Sequence, residues 1–250
     1  MARGRSRYIE MPSPIAHPES AENVATMPPA SATVRPPATT FLVIRHAESV
    51  ANAGGYFGSQ SDSPLTELGW TQARALAMAL QHASINAIYS SDLSRARCTV
   101  ELLASHHGRV IHETPLLRER DMGELTGKSF DEARATLPEL WARLVARDPT
   151  AKPPGGETQA DLGARVERFL SGLLERHLGQ VVVIASHGGT IHHLIRQLVG
   201  VHDLGIPMWL SVANASISRI DVIEPSHGVY ARRLTYVNRI VPFGDEPMLP

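Results

Sequence analysis

Phe41-Leu42-Val43-Ile44-Arg45-His46 decides how the chain is read: four apolar residues run straight into a fixed cation and a titratable ring. Val181-Val182-Val183-Ile184-Ala185-Ser186-His187 repeats the arrangement far downstream. Short aliphatic runs of this kind suit parallel strands that are buried on both faces. In open α/β sheets, ligands bind beyond the carboxyl ends of such strands. Both histidines therefore stand where chemistry is expected. A single histidine after a strand is ordinarily a hydrogen-bonded core or surface residue, and its recurrence at an equivalent position weakens that reading.

Outward from these strands, helical and extended patterns alternate. Gly69 to His82 and Asp92 to Ala104 read as helices, with a strand at Asn86 to Tyr89 between them. Leu162, Val166, Phe169, Leu170, Leu173 and Leu174 fall on one helical face, with Thr158 and Asp161 supplying its capping start. Gly188 and Gly189 break the second strand before another helix, and β-like stretches at Ala215 to Ile220 and Val229 to Val237 can close the sheet edge. The order predicts an α/β protein, a three-layer α/β/α sandwich around a mostly parallel central sheet. Residues 1–40 carry seven prolines among Ala, Ser, Thr and Glu with no hydrophobic period, and read as a disordered tail. The expected domain then spans 41–240, with a flexible tail at 241–250.

Composition narrows the function classes. Of 250 residues, 24 are Lys or Arg and 25 are Asp or Glu, so no global field favours nucleic acid or an anionic membrane. No apolar run approaches the roughly 20 residues that span a bilayer. The single cysteine, Cys98, cannot form an intrachain disulfide, which suits a cytoplasmic setting. Gly123 to Ser129 is one residue short of a nucleotide P-loop and follows no strand. Cys98 lacks the downstream arginine of a cysteine phosphatase, no G-x-S-x-G elbow occurs, and the adjacent His192 and His193 have poor metal spacing. The expectation is a chemistry without metal or other cofactor.

Arg45-His46-Ala47-Glu48-Ser49, with Asn52 following, resembles the phosphate-binding signature of the histidine phosphatase (phosphoglycerate mutase-like) superfamily. Further motifs follow in that family's order over residues 41–190. They are Asp62-x-Pro64-Leu65-Thr66-x-x-Gly69, Ser90-Ser91-Asp92-Leu93-Ser94-Arg95-Ala96, Leu117-Arg118-Glu119-Arg120, Pro154-Gly155-Gly156-Glu157-Thr158 and Ser186-His187-Gly188-Gly189-Thr190. The resemblance implies a phosphoglycerate mutase-like fold and a phosphorylated small-molecule substrate. It implies His46 as nucleophile, Arg45, Arg95 and His187 as stabilisers of the transferring group, and Glu119 as general acid. Asn52, Ser59 and the Gly188 N–H are expected to bind substrate.

Physical chemistry supports that assignment independently. A phosphomonoester dianion repels nucleophiles, so its oxygens need cationic donors, and the planar fork of arginine suits them. A neutral imidazole can accept the phosphoryl group and divide one displacement into two, and its other nitrogen then needs an acceptor such as a backbone carbonyl. His187 would serve either protonated or as a neutral donor, beside Gly188 at a helix start. Beside bound phosphate a carboxyl keeps its proton more readily, which suits Glu119 as acid and later as base. Read without the family pattern, Arg95 is an exposed helical charge, Glu119 belongs to a solvated charge run and Asn52 caps a turn.

Within the family, the mutases carry a longer insertion after the acid, an aromatic residue three positions beyond it and a lysine where this chain has Phe130; the aromatic position holds Met122. These departures favour hydrolysis over phosphoryl transfer back to substrate. A bisphosphoglycerate-dependent mutase and a non-catalytic phospho-ligand binder are the alternatives. The leaving group is expected to meet the stretch from Ser129 to Pro154, with Trp141, Arg143 and Arg147 as lid candidates. A homo-oligomer is allowed by the sequence without being required.

Overall fold

A computed structural model describes residues 38–204, 208, 210–223 and 230–241. The expected tails lie outside those residues, apart from 38–40 and 241, as does the start of the last β-like stretch at Val229. Ala38–Arg45 forms β1, three residues longer at its start than the apolar pattern indicates, because Thr39 and Thr40 are buried in the sheet. The Thr40 hydroxyl donates to Asp221 at 2.7 Å, which satisfies a polar group the hydrophobic pattern could not place.

The chain continues through α1 (Val50–Ala53), α2 (Glu67–Ala79), β2 (Ile85–Ser91), α3 (Ser94–His106) and β3 (Ile111–Thr114). Next come α4 (Phe130–Thr136), α5 (Pro138–Val145), α6 (Gln159–Leu170), α7 (Leu173–Arg176), β4 (Val181–Ser186) and α8 (Gly188–Leu198), before β5 (Ile217–Ile223) and β6 (Ala231–Arg239). The sheet order is β3-β2-β4-β1-β5-β6. The first four of these strands run parallel, while β5 and β6 add antiparallel pairings at one edge.

Alternation along the two central strands makes the three layers. Phe41, Val43, Val182 and Ile184 pack with Leu162, Val166 and Leu194 of α6 and α8. Leu42, Ile44, Val183 and Ala185 face the other way, onto Leu76, Val100 and Leu103 of α2 and α3. Successive side chains of a strand point to opposite faces, so two adjacent all-apolar strands require cover on both sides.

The helical face from Leu162 to Leu174 is not one helix. It stops at Leu170, and Gly172 adopts φ 65° before α7 begins. Only glycine enters that region without a steric penalty, and the turn still lets Leu173 enter the core. Thr158 and Asp161 do form the expected capping box of α6. In α3, Cys98 is half-buried and packs beside Ala47, Leu65, Ala73 and Ala215, as a small side chain in a helical pattern should.

Candidate active site

Adjacent parallel strands bring the two histidines together. The His46 N–H donates to the Ser186 carbonyl at 2.9 Å, which extends the β1–β4 pairing past the end of β1. The rings of His46 and His187 then lie with centroids 5.0 Å apart, both buried. His46 Nδ1 stands 2.7 Å from the carbonyl of Ala47. A carbonyl only accepts, so Nδ1 carries the proton and Nε2 keeps its lone pair. Burial, then the charges of Arg95 and Arg45, holds the His46 pKa well below the ordinary histidine value and keeps the ring neutral.

His187 caps α8 and is wholly buried. Burial first, then Arg95, His46 and Arg45, pushes its pKa well down. Of the two states the sequence left open, the free site therefore favours the neutral donor. Among the described residues, both ring nitrogens of His187 and the Nε of Arg45 are buried without a hydrogen-bond partner. Buried donors are seldom left so, and a polyoxygen anion is a species able to satisfy several at once.

Arg95 is only 2% exposed, which rules out the solvated-helix reading. Its Nη1 and Nη2 donate to the carbonyls of Ser61 and Ser59 at 2.8 and 2.7 Å. Asp62 supports this arrangement by accepting from the Ser94 N–H and hydroxyl at the start of α3. Arg45 donates through Nη1 to the Val212 carbonyl at 2.6 Å, a contact no sequence pattern announces. The Thr99 hydroxyl accepts the Ala47 N–H at 2.8 Å and fixes the loop after His46.

Glu119 is half-buried, and its carboxylate accepts from the Arg120 N–H at 2.8 Å and from the Gly189 N–H at 3.1 Å. A Cβ at position 189 would stand 2.6 Å from a Glu119 oxygen, so a side chain there would push the carboxylate aside. Beneath the acid, Arg165 donates to Glu157 at 2.8 and 2.9 Å and to the carbonyls of Leu116, Arg118 and Glu119. Arg120 donates to the carbonyls of Glu157 and Ala151. These two buried arginines act on backbone, a role that an exposed-looking charge run conceals.

The other expected ligands differ in what they have free. The Ser59 hydroxyl accepts the Met122 N–H at 2.9 Å and lies 3.4 Å from the Arg120 carbonyl, tying its loop to the acid segment. The Asn52 side-chain oxygen accepts from Ser49 N, Ser49 Oγ and Asn214 Nδ2, so the turn-capping reading is realised and only Nδ2 could donate to phosphate. Gly188 lines the cavity beside Arg45 and Glu119. Of the lid candidates, Arg147 lines the cavity. Trp141 packs behind Phe57 and Phe130, while Arg143 bonds Asp148 and Thr150. Tyr56, Phe57 and Val212 also line the cavity and were missed; only an aromatic pair between Gly55 and Gly58 could have hinted at the first two.

Over residues 41–232 the chain matches the histidine phosphatase superfamily (branch 1). The protein belongs to this superfamily. "Probable phosphoglycerate mutase GpmB" of Yersinia pestis (strain Pestoides F) is 33% identical over 182 residues, 73% of this chain and 84% of that protein. A mycobacterial glucosyl-3-phosphoglycerate phosphatase, solved in complex with VO3, superposes with a TM-score of 0.70 at 29% identity, over 80% of this chain and 99% of that one. The alpha-ribazole phosphatase from Shigella flexneri gives 0.69 at 27% identity, over 84% and 100%. The superfamily member described here thus has phosphatases as structural neighbours, and its six-stranded mixed sheet is the histidine phosphatase fold. Among the described residues, no helix is long and apolar enough to cross a membrane, and no group of three or more His, Cys, Asp or Glu could hold a metal ion.

Proposed function

We propose that this chain hydrolyses phosphomonoesters of small metabolites through a phosphohistidine formed on His46. The observation that carries the reading is the His46–Ala47 contact: with Nδ1 protonated on a carbonyl at 2.7 Å, the lone pair belongs to Nε2 of a buried, neutral ring between two arginines. That lone pair attacks phosphorus and the bond to the leaving oxygen breaks as Glu119 donates a proton to it. Glu119 then removes a proton from water, the resulting hydroxide attacks phosphorus, and the phosphorus–nitrogen bond breaks to free orthophosphate. Arg45, Arg95 and His187 stabilise the charge on the transferring oxygens, joined by Gly188 at the start of α8 and by Asn52 Nδ2. Ser59 acts by shaping the loop, since its hydroxyl is engaged with the acid segment. A bound dianion supplies the opposite charge that favours a protonated His187.

The similarity to a probable mutase sustains a second reading, in which the phosphoryl group returns to substrate. Met122 and Phe130 beside the cavity supply neither a hydroxyl nor a cation for a carboxylated, twice-phosphorylated intermediate, which favours hydrolysis. The single cysteine and the metabolite-type substrate support a cytoplasmic setting, with residues 41–240 as the catalytic domain.

Rapid quenching with labelled phosphomonoester is the test. An acid-labile, base-stable label on His46 that His46→Ala abolishes is expected, together with free phosphate in the absence of a bisphosphorylated primer. Label on Cys98 or a serine would overturn the nucleophile, and strict primer dependence with isomerised product would establish the mutase.

A further inference from the structure

Beyond the phosphate end, the cavity opens to about 480 Å³. That volume lies in the range of pockets that enclose drug-sized ligands, roughly 300–1,000 Å³, and is far larger than a three-carbon acid fills. Apart from the charged end, its lining includes Phe57, Phe130 and Leu144, with Tyr56, Met122 and Val212. Aromatic residues order that wall. Phe57 and Phe130 meet edge to face with centroids 5.0 Å apart, and Trp141 backs both at 6.4 and 6.2 Å. Yet Phe130 stays 45% exposed, an apolar face lining the cavity with two aromatic neighbours, Phe57 and Trp141, holding its position.

The charged residues lining this side are Arg120, Arg147 and Asp148. Arg120 spends its donors on the carbonyls of Glu157 and Ala151. Arg147 and Asp148 enter the lining together, one of each sign, with Asp148 also held by Arg143 at 2.7 Å. A flat apolar ring would meet aromatic edges and aliphatic carbons at Phe57, Phe130 and Leu144.

Taking the phosphatase reading as its basis, we infer that the preferred leaving group is an alcohol carrying a flat, largely apolar ring system of about bicyclic size, seated against Phe57, Phe130 and Leu144. The phosphoryl group sits at Arg45 and Glu119, and the ring fills the space towards α5. Affinity then comes from removing two apolar surfaces from water, and the pre-set ring geometry keeps its ordering cost low.

The test compares alkyl phosphates whose leaving oxygens make the same demand on the acid. 2-Naphthylmethyl phosphate should exceed both glycerol 3-phosphate and 3-phosphoglycerate in kcat/KM by about 10-fold or more, chiefly through KM, as expected for filling an apolar pocket. Phe130→Ala and Leu144→Ala should each cut the ratio of naphthylmethyl to glycerol phosphate kcat/KM by about 3- to 10-fold, with Phe130→Leu intermediate. Preference for 3-phosphoglycerate, or an unchanged ratio in both alanine variants, would overturn the inference. Calorimetry with 2-naphthylmethylphosphonate and methylphosphonate, which cannot be hydrolysed, separates this subsite from the reaction. Tighter binding of the aryl compound without turnover of any ester would refute the phosphatase reading and keep the subsite. Turnover with equal binding of the two phosphonates would do the reverse.

Discussion

At the strand-end side of the cavity, His46, Arg95 and His187 are buried and the loops around them are tied to backbone carbonyls, whereas the two helices on the far side, α4 and α5, bury one side chain between them, Ala133. The first region is tightly held: Arg45, His46 and Arg95 each bond a backbone carbonyl, while the ring nitrogens of His187 and the Nε of Arg45 stay buried without a partner among the described residues. The second is held by aromatic edges, by the Ser129–Glu132 capping box and by exposed ion pairs. A site made this way can keep one chemistry at its rigid end while its far wall varies, because changes there disturb little of the core.

The sharpest way to break that contrast is to alter the acid. Glu119→Gln should slow hydrolysis of an alkyl phosphate by roughly 10²- to 10⁴-fold, and should slow phosphorylation of His46 by nitrophenyl phosphate much less, since nitrophenolate leaves without a proton. Burst kinetics read the difference; equal slowing of both bursts would show Glu119 to be a positioning group. Next in size is Arg165→Ala, which strands the half-buried Glu157 and the carbonyls beneath the acid. Loss of one partner from such a pair typically costs about 3–5 kcal/mol, read as a fall in urea midpoint. An effect below about 1 kcal/mol would mean that the acid loop is held mainly by other contacts.

pH should act on the same rigid region. Burial lowers the pKa of His192 to about 4 and of His193 to about 3, and moves His46 and His187 in the same direction. Between those values and the unfolded value of 6.5, the unfolded chain binds protons that the native protein does not. Stability therefore rises with pH through this window and is lost as pH falls from 6.5 towards about 4. Asp148 and Asp221, lowered to about 2, give up their contribution at lower pH. Urea midpoints should fall across the histidine window, and His193→Gln should make the slope shallower; a flat profile would refute the buried-neutral assignment. The smallest effect belongs to the other region. Val145→Ala, at a residue 60% exposed on α5, should leave stability within about 0.5 kcal/mol.

The unequal construction also explains what could be read from the sequence. The two strand ends were legible because aliphatic runs buried on both faces end abruptly in polar residues, and the family motifs singled out Arg95, which is buried, and Glu119, which lines the cavity. Local context alone misread Arg95, because a charge beside Asp92, Ser94 and Arg97 looks solvated until the folded 59–62 loop supplies its acceptors. The break at Gly172 was hidden because the hydrophobic period runs through it. β3 escaped notice because Ile-His-Glu-Thr at a sheet edge carries little pattern. The apolar wall was the least legible, since Tyr56 and Phe57 come from a loop that only tertiary structure brings to the start of α4, and Val212 from one that it brings to Arg45.

Finally, the Glu119 carboxylate occupies the Gly189 N–H at 3.1 Å, the place at the head of α8 where an arriving phosphate would seek a donor. The free enzyme thus carries its own tethered competitor. On the proposed mechanism entering substrate would displace it, and once Glu119 has released the proton it took from water, its carboxylate would again be held within reach of the vacated donor. The same residue that serves the chemistry would then hasten product exchange, so removing its charge should lengthen the residence of orthophosphate even in assays where no bond is made or broken.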